Sequence, residues 1–131
     1  MVSTKQHMSL FVKDIFDRYA MLTEDCQVTI VGVVVDISCP DPELHPNRPL
    51  VVRLDDGTGV IKCAMFRHHT LNHLKDIKMG DCFQARGTVN RYFEELQIKC
   101  VALKTVIDPN FETLWMNKVI SERKLKEWLK D

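Results

Sequence analysis

The sequence predicts an all-β domain with flanking helices, in which five strands close into a small barrel and a C-terminal helix follows. Three observations carry that expectation. Val- and Ile-rich runs of strand length recur between turn signals. Four of the five prolines crowd into one stretch behind the first long run. A single polar stretch with apolar residues at every third position separates two hairpins. The 131 residues are one domain's worth, enough to bury a real core. A hydrophobic fraction of 45% against 27% charged is an ordinary globular balance.

Residues 1–24 read as an N-terminal extension, where Leu10, Phe11, Ile15, Tyr19 and Leu22 suggest a helical turn or two plugging one end of the domain. Cys26 to Ser38 is a long strand, and Gly32 inside it marks a bulge or bend of the kind barrels need. Cys39 to Pro49, with Pro40, Pro42, Pro46 and Pro49, is a loop, because proline has no N–H to give a central strand. Leu50 to Asp55 and Val60 to Arg67 form a hairpin across Asp56-Gly57-Thr58-Gly59. Within His68 to Met79, the spacing of Leu71, Leu74 and Ile77 fits a short helix ended by Gly80-Asp81. Cys82 to Arg91 and Leu96 to Thr105 form the second hairpin and complete a barrel over residues 26–105. Asp108 then caps and Pro109 opens a helix in segment 108–131, with Ser121 starting a second helical piece that carries Leu125, Trp128 and Leu129. Five strands with a helix between the third and fourth is the order of the OB-fold. That fold presents its second and third strands and two loops to oligonucleotides.

Lys and Arg number 18 and so do Asp and Glu, leaving a formal net charge of zero. That excludes a broadly basic nucleic-acid binder, so such a role must rest on a local patch or on a partner's charge. The five cysteines (Cys26, Cys39, Cys63, Cys82, Cys100) are odd in number and scattered, as expected of free intracellular thiols. No apolar stretch approaches the roughly 20 residues of a membrane span, and no membrane partner is expected.

Particular residues add a family resemblance. Gln27-Val28-Thr29-Ile30-Val31-Gly32 resembles the first strand of the middle subunit of replication protein A. Leu54-Asp55-Asp56-Gly57-Thr58-Gly59, with Ile61 and Cys63, is similar to the hairpin of that subunit and closer to that of the middle-sized OB subunit of the CST telomere-capping complex. Met79-Gly80-Asp81, Ala85-Arg86-Gly87, Tyr92 and Ile98 fall where both families place their fourth and fifth strands. Phe11-Val12-Lys13-Asp14-Ile15 resembles the CST lead-in, and Asp108-Pro109 before a helix matches as well. The OB subunit of the terminin assembly is similar in layout. The resemblance spans roughly Phe11 to Ile120. It implies a subunit of a hetero-oligomeric single-stranded DNA-binding complex in the nucleus, at chromosome ends. It also implies a smaller OB-fold partner docked on the C-terminal helix, with a larger scaffold subunit left open. The families' C-terminal winged-helix region is not expected within these residues.

The candidate nucleic-acid site follows from strand alternation. Ile61, Cys63 and Met65 read as core, so Lys62 and Phe66 share the outer face, with Arg53 from the neighbouring strand. Aromatic stacking plus phosphate contact is how single strands are held. The resemblance places Phe66 at the family's DNA-binding aromatic. The other reading has Phe66 packed under the proline-rich loop and the cations solvated. Arg91, Tyr92 and Phe93 lie at the tip of the second hairpin, and Tyr92 matches the family's aromatic there. Where the family carries a basic residue this chain has Asn90. Arg91 is the substitute, though its side chain leaves the other face of the strand, and Glu94 and Glu95 next to it oppose phosphate. A tip whose aromatics pack on each other is the competing reading. In the Cys39 to Pro49 loop, His45, Asn47 and Arg48 could close over a strand of DNA, or the prolines could equally serve only to prevent misfolding.

The C-terminal helix carries Phe111, Leu114, Trp115, Met116, Val119 and Ile120, more apolar surface than one barrel-facing stripe needs. Phe111, Trp115, Met116, Val119 and Ile120 are therefore expected at a partner interface, with a plain barrel plug as the alternative. His68, His69 and His73 lack the cysteines or carboxylates of a zinc set, so no metal and no cofactor are expected. Asp55-Asp56 is explained by its turn. There is no phosphate loop, nucleophile elbow or paired acid and base, and the chain is not expected to be an enzyme. The expected function is a telomere-capping or replication-associated OB subunit that binds single-stranded DNA weakly alone. The alternative is a protein-interaction scaffold without direct DNA contact.

Overall fold

The computed structural model describes residues 7–22, 26–38, 44, 48–66 and 77–129, with side chains to residue 122 except at 21. The order is β1 (His7–Ser9), α1 (Val12–Arg18) with a 3-10 turn (Tyr19–Met21), β2 (Gln27–Ser38), β3 (Leu50–Asp55), β4 (Val60–Met65), β5 (Cys82–Tyr92), β6 (Glu95–Thr105) and α2 (Phe111–Leu129). Strand β2 organises the sheet. Gln27 to Val33 pairs antiparallel with β5, and Val33 to Ser38 pairs antiparallel with β3. β3 pairs with β4, β4 runs parallel to β6, and β6 pairs with β5, so the five strands close on themselves. The expected five-stranded OB barrel with a C-terminal helix is the observed fold.

The period-2 burial of β3, and of β4 as far as Cys63, follows the sequence, and Ala64 and Met65 are both buried after it. Val52 and Leu54 face in with Ile61 and Cys63, and Phe83, Ala85 and Ile98 complete the core from β5 and β6. Val12 and Ile15 of α1 cap this core at one end, as the N-terminal pattern suggested. Cys63 lies against Cys100; that thiol–thiol hydrogen bond, together with burial, pushes the Cys63 pKa well above the ordinary range. Cys26, Cys63, Cys82 and Cys100 are all free thiols, and Cys39 lies outside the described residues.

Four expectations need correction. β1 was not foreseen: its three residues pair parallel with Gln27 to Thr29, and His7 Nε2 lies 2.6 Å from Thr29 Oγ1. Gly32 is not the bulge. The register slips between Val34 and Asp36, whereas Gly32 sits where a Cβ would meet the Asp55 backbone at 3.1 Å. The helix begins at Phe111, with Pro109 in the turn before it; the Asp108 carboxylate accepts the Asn110 N–H at 2.9 Å. Ser121 starts no second helix, because α2 runs unbroken through it to Leu129. The linker-helix residues up to 76, His68, His69 and His73 among them, lie outside the described residues, as do His45 and Asn47.

Among the glycines, the tightest approach is at Gly87. There β5 and β6 slip register beside Arg86, and a Cβ would lie 2.1 Å from the Lys99 carbonyl oxygen, so only glycine fits. The β3–β4 turn is built just as tightly. Asp55 Oδ1 accepts the Gly57 N–H at 2.8 Å, and Asp56 Oδ1 accepts the Thr58 N–H at 2.9 Å. The second Asp56 oxygen accepts the Val12 N–H at 2.8 Å, and Thr58 Oγ1 accepts the Lys13 N–H at 3.1 Å. The N-cap residue of α1 is Phe11, whose side chain cannot accept a hydrogen bond, so the turn supplies the cap from 44 residues away. Both carboxylates are thus committed to backbone donors. No cluster of metal-ligating side chains occurs among the described residues.

Candidate nucleic-acid interface

Alternation that buries Ile61 and Cys63 turns Val60 and Lys62 outward, while Ala64 is covered. Cross-strand register then lines up one row over the barrel wall: Asp36 beside Arg53, Arg53 beside Lys62, Lys62 beside Gln97, and Gln97 beside Asn90. A second row sets Val51 beside Ala64 and Ala64 beside Lys99. Phe66 follows β4 at the edge of this row, 43% exposed, with Lys99 Nζ 5.9 Å from its ring centroid. Tyr92, at the end of β5, is 49% exposed, and Lys62 Nζ lies 5.5 Å from its ring. The face therefore offers two half-exposed aromatic rings, each with an ammonium group over one side of it. A ring can stack a base while the cation holds the adjoining phosphate.

The hairpin tip is strained. Phe93 and Glu94 have φ of +49° and +65°, the backbone of a two-residue turn that ordinarily uses Asn-Gly. Phe93 is 86% exposed and meets Tyr92 edge to face, with centroids 4.5 Å apart. Arg91 Nη1 donates to the Glu94 carbonyl at 3.2 Å and so braces the turn.

Arg53, Lys62, Phe66 and Tyr92 are brought onto one face. Arg91 is not: its strand parity sends it the other way, over the Tyr19 ring at 5.3 Å. Arg53 is already engaged. Its Nη1 donates to Glu95 Oε1 at 2.5 Å, and its Nε lies 3.9 Å from Asp36 Oδ2. That hydrogen bond, with Coulombic help from Arg53 and Lys62, holds the Glu95 carboxyl below the usual range against the opposing effect of burial. Two members were missing from the candidate set. Lys99 is legible by alternation from Ile98 and Cys100, but its approach to Phe66 depends on the parallel β4–β6 pairing. Asn90 contributes a buried Oδ1 without a hydrogen-bond partner.

Of the expected interface residues on α2, Trp115 and Val119 pack on the chain's own barrel against Val31, with Phe111 half-buried beside them. Met116 and Ile120, 52% and 40% exposed, stand together on one flank. Leu114 is 64% exposed on the other flank. The Met116 flank borders a groove of about 310 Å³ running to β2 and the β3–β4 turn, lined by Phe11, Val35, Asp56 and Trp115 among others. The Trp115 Nε1 beside it is buried without an acceptor.

Residues 28–106 match the OB-fold nucleic acid binding domain family. The chain belongs to that family. No curated protein matches it by sequence. Among solved structures, a chain of the S. pombe Stn1-ten1 complex matches with TM-score 0.67 and 18% identity, covering 79% of this chain and 74% of that one. A chain of a replication protein A heterotrimer bound to ssDNA matches with TM-score 0.72 and 16% identity over 92% of this chain and 97% of that one. A chain from the structure of yeast Stn1 and Ten1 matches with TM-score 0.72 and 14% identity over 98% and 84%. Both sides of the resemblance drawn from the sequence are represented among these OB-folds.

Proposed function

We propose that this OB domain is a single-stranded DNA-binding subunit of a hetero-oligomeric complex of the telomere-capping or replication kind, acting in the nucleus by binding and not by catalysis. The observation that carries the reading is the one outer face on which Phe66 with Lys99 and Tyr92 with Lys62 stand as ring–ammonium pairs, the chemistry suited to stacking a base and holding a phosphate. The similar replication protein A heterotrimer is bound to ssDNA, and the similar S. pombe Stn1-ten1 structure is a complex, which supports both halves of the proposal. The smaller partner subunit docks on the Met116–Ile120 flank of α2. That flank exposes apolar side chains beside a groove with an unpaired Trp115 donor.

A fluorescence-anisotropy titration with short single-stranded oligonucleotides over a salt series tests the reading. Binding that weakens with salt and is lost on removal of both rings is expected. A second reading, a protein scaffold without DNA contact, is favoured by the zero net charge and the Arg53–Glu95 pair. Absence of oligonucleotide binding at low salt, in the isolated domain and in the assembled complex alike, would establish it in place of the first.

A further inference from the structure

Glu95 is the first residue of β6, directly after the strained Phe93–Glu94 turn, and its register partner is Tyr92. The turn fixes where its carboxylate stands: against the Arg53 guanidinium and toward Lys62. A carboxylate and a phosphate ask the same thing of a guanidinium, two oxygens for its forked N–H donors. The Arg53 and Glu95 side chains are 36% and 44% exposed, so solvent and ligands reach the pair. Asp36 holds Arg53 more loosely, from its Nε side at 3.9 Å.

We propose that Glu95 is a built-in competitor for the nucleic-acid strand, occupying the phosphate position on Arg53 so that binding exchanges one anion for another. The inference rests on the DNA-binding reading of this face and adds the residue that sets its affinity. Three contributions follow from one contact. Arg53 gives the strand little net attraction while Glu95 holds it. The departing carboxylate must be resolvated. The hairpin tip is tied to β3 by the ion pair, so releasing Arg53 also frees the tip that carries Tyr92. Only a ligand that engages the ring and the guanidinium together recovers the cost, which disfavours isolated anions and rewards a strand carrying both base and phosphate.

The test compares Glu95→Gln with Glu94→Gln in the full chain, both checked for folding by circular dichroism. Each removes one negative charge from the same tip, but Glu94 makes no ion pair among the described residues. Glu95→Gln should tighten oligonucleotide binding on the order of 3- to 10-fold at low salt and steepen the log–log salt slope by about 0.7, the value of one recovered phosphate contact. Glu94→Gln should fall well short on both. Equal gains from the two variants would show a general charge effect and overturn the proposal. Weaker binding by Glu95→Gln would do the same, by showing that Glu95 positions Arg53 for the strand. Phe66→Ala and Tyr92→Ala separate this outcome from the reading beneath it. If those variants bind like the parent while Glu95→Gln still tightens, the anion exchange stands and the stacking assignment falls. If no variant and no parent binds, both fall.

Discussion

At the scale of single residues, the two exposed rings carry the clearest expectation. Phe66→Ala and Tyr92→Ala should each weaken single-stranded DNA binding by about 1–3 kcal/mol, the worth of one stacking platform. Anisotropy on folded protein is the check, and parental affinity in both would place the strand elsewhere. Cys82 offers an independent readout of α2 docking. Burial, and then the Glu112 carboxylate, push its thiol up to about 12. A raised pKa means that the reactive thiolate is scarce below that pH. Alkylation at pH 8, mapped by mass spectrometry, should be slow at Cys82 and faster in Glu112→Gln, which removes the adjacent charge. A rapid reaction in the parent would show that α2 does not cover this site. Gly87 is the least replaceable position: an added Cβ overlaps the Lys99 carbonyl, and Gly87→Ala should cost about 3 kcal/mol or prevent folding.

Among the elements, the second hairpin and α2 make opposite demands. The Phe93–Glu94 turn holds two side chains in left-handed backbone, at roughly 1–2 kcal/mol per residue. Replacing the pair by Asn-Gly should raise the thermal midpoint, because those residues adopt the turn without that cost. If the melting temperature does not rise, the turn is not strained in solution. In α2, Met116→Glu or Ile120→Glu should leave the domain folded and abolish partner association, by several kcal/mol for a charge buried in an interface. Trp115 is a poor probe of that interface, since its side chain supports the barrel contact itself. A pull-down with circular dichroism as control distinguishes the two roles. Retained association by folded variants moves the interface off this flank.

At the scale of the whole molecule, the barrel was legible because its pattern is local. Alternation in Leu50–Asp55 and Val60–Met65, turn glycines and the proline-rich gap each announce a strand or its end. β1 was not legible: its three residues, His-Met-Ser, have no strand pattern, and they pair because β2 leaves the side of Gln27 to Thr29 away from β5 open. Ser121 looked like a start only because serine caps helices; within α2 it is an exposed position that the helix runs through. The candidate face was half legible. Alternation selects Arg53, Lys62 and Phe66, but the partnership of Arg53 with Glu95 spans 42 residues and exists only through register. Three cations on the face, one of them occupied, also set the scale of binding. The isolated domain should show a shallow salt slope, about −1.5 to −2 for two or three phosphate contacts on a single strand. A much steeper measured slope would reveal a wider basic track than this face provides.

The cap that the β3–β4 turn lends to α1 has a kinetic consequence. A seven-residue helix whose N-cap residue offers no capping side chain is too short to persist alone in water. Its first amide protons, on Val12 and Lys13, find acceptors only after Asp56 and Thr58 have been positioned by a finished hairpin. This helix is therefore expected to be a late arrival in folding, although it precedes β3 and β4 in the chain. Pulse-labelling hydrogen exchange should find the Val12 and Lys13 amides acquiring protection after those of β3 and β4. In the folded protein the same two amides would act as reporters of turn opening, and Asp56→Ala should speed their exchange while the barrel strands stay protected.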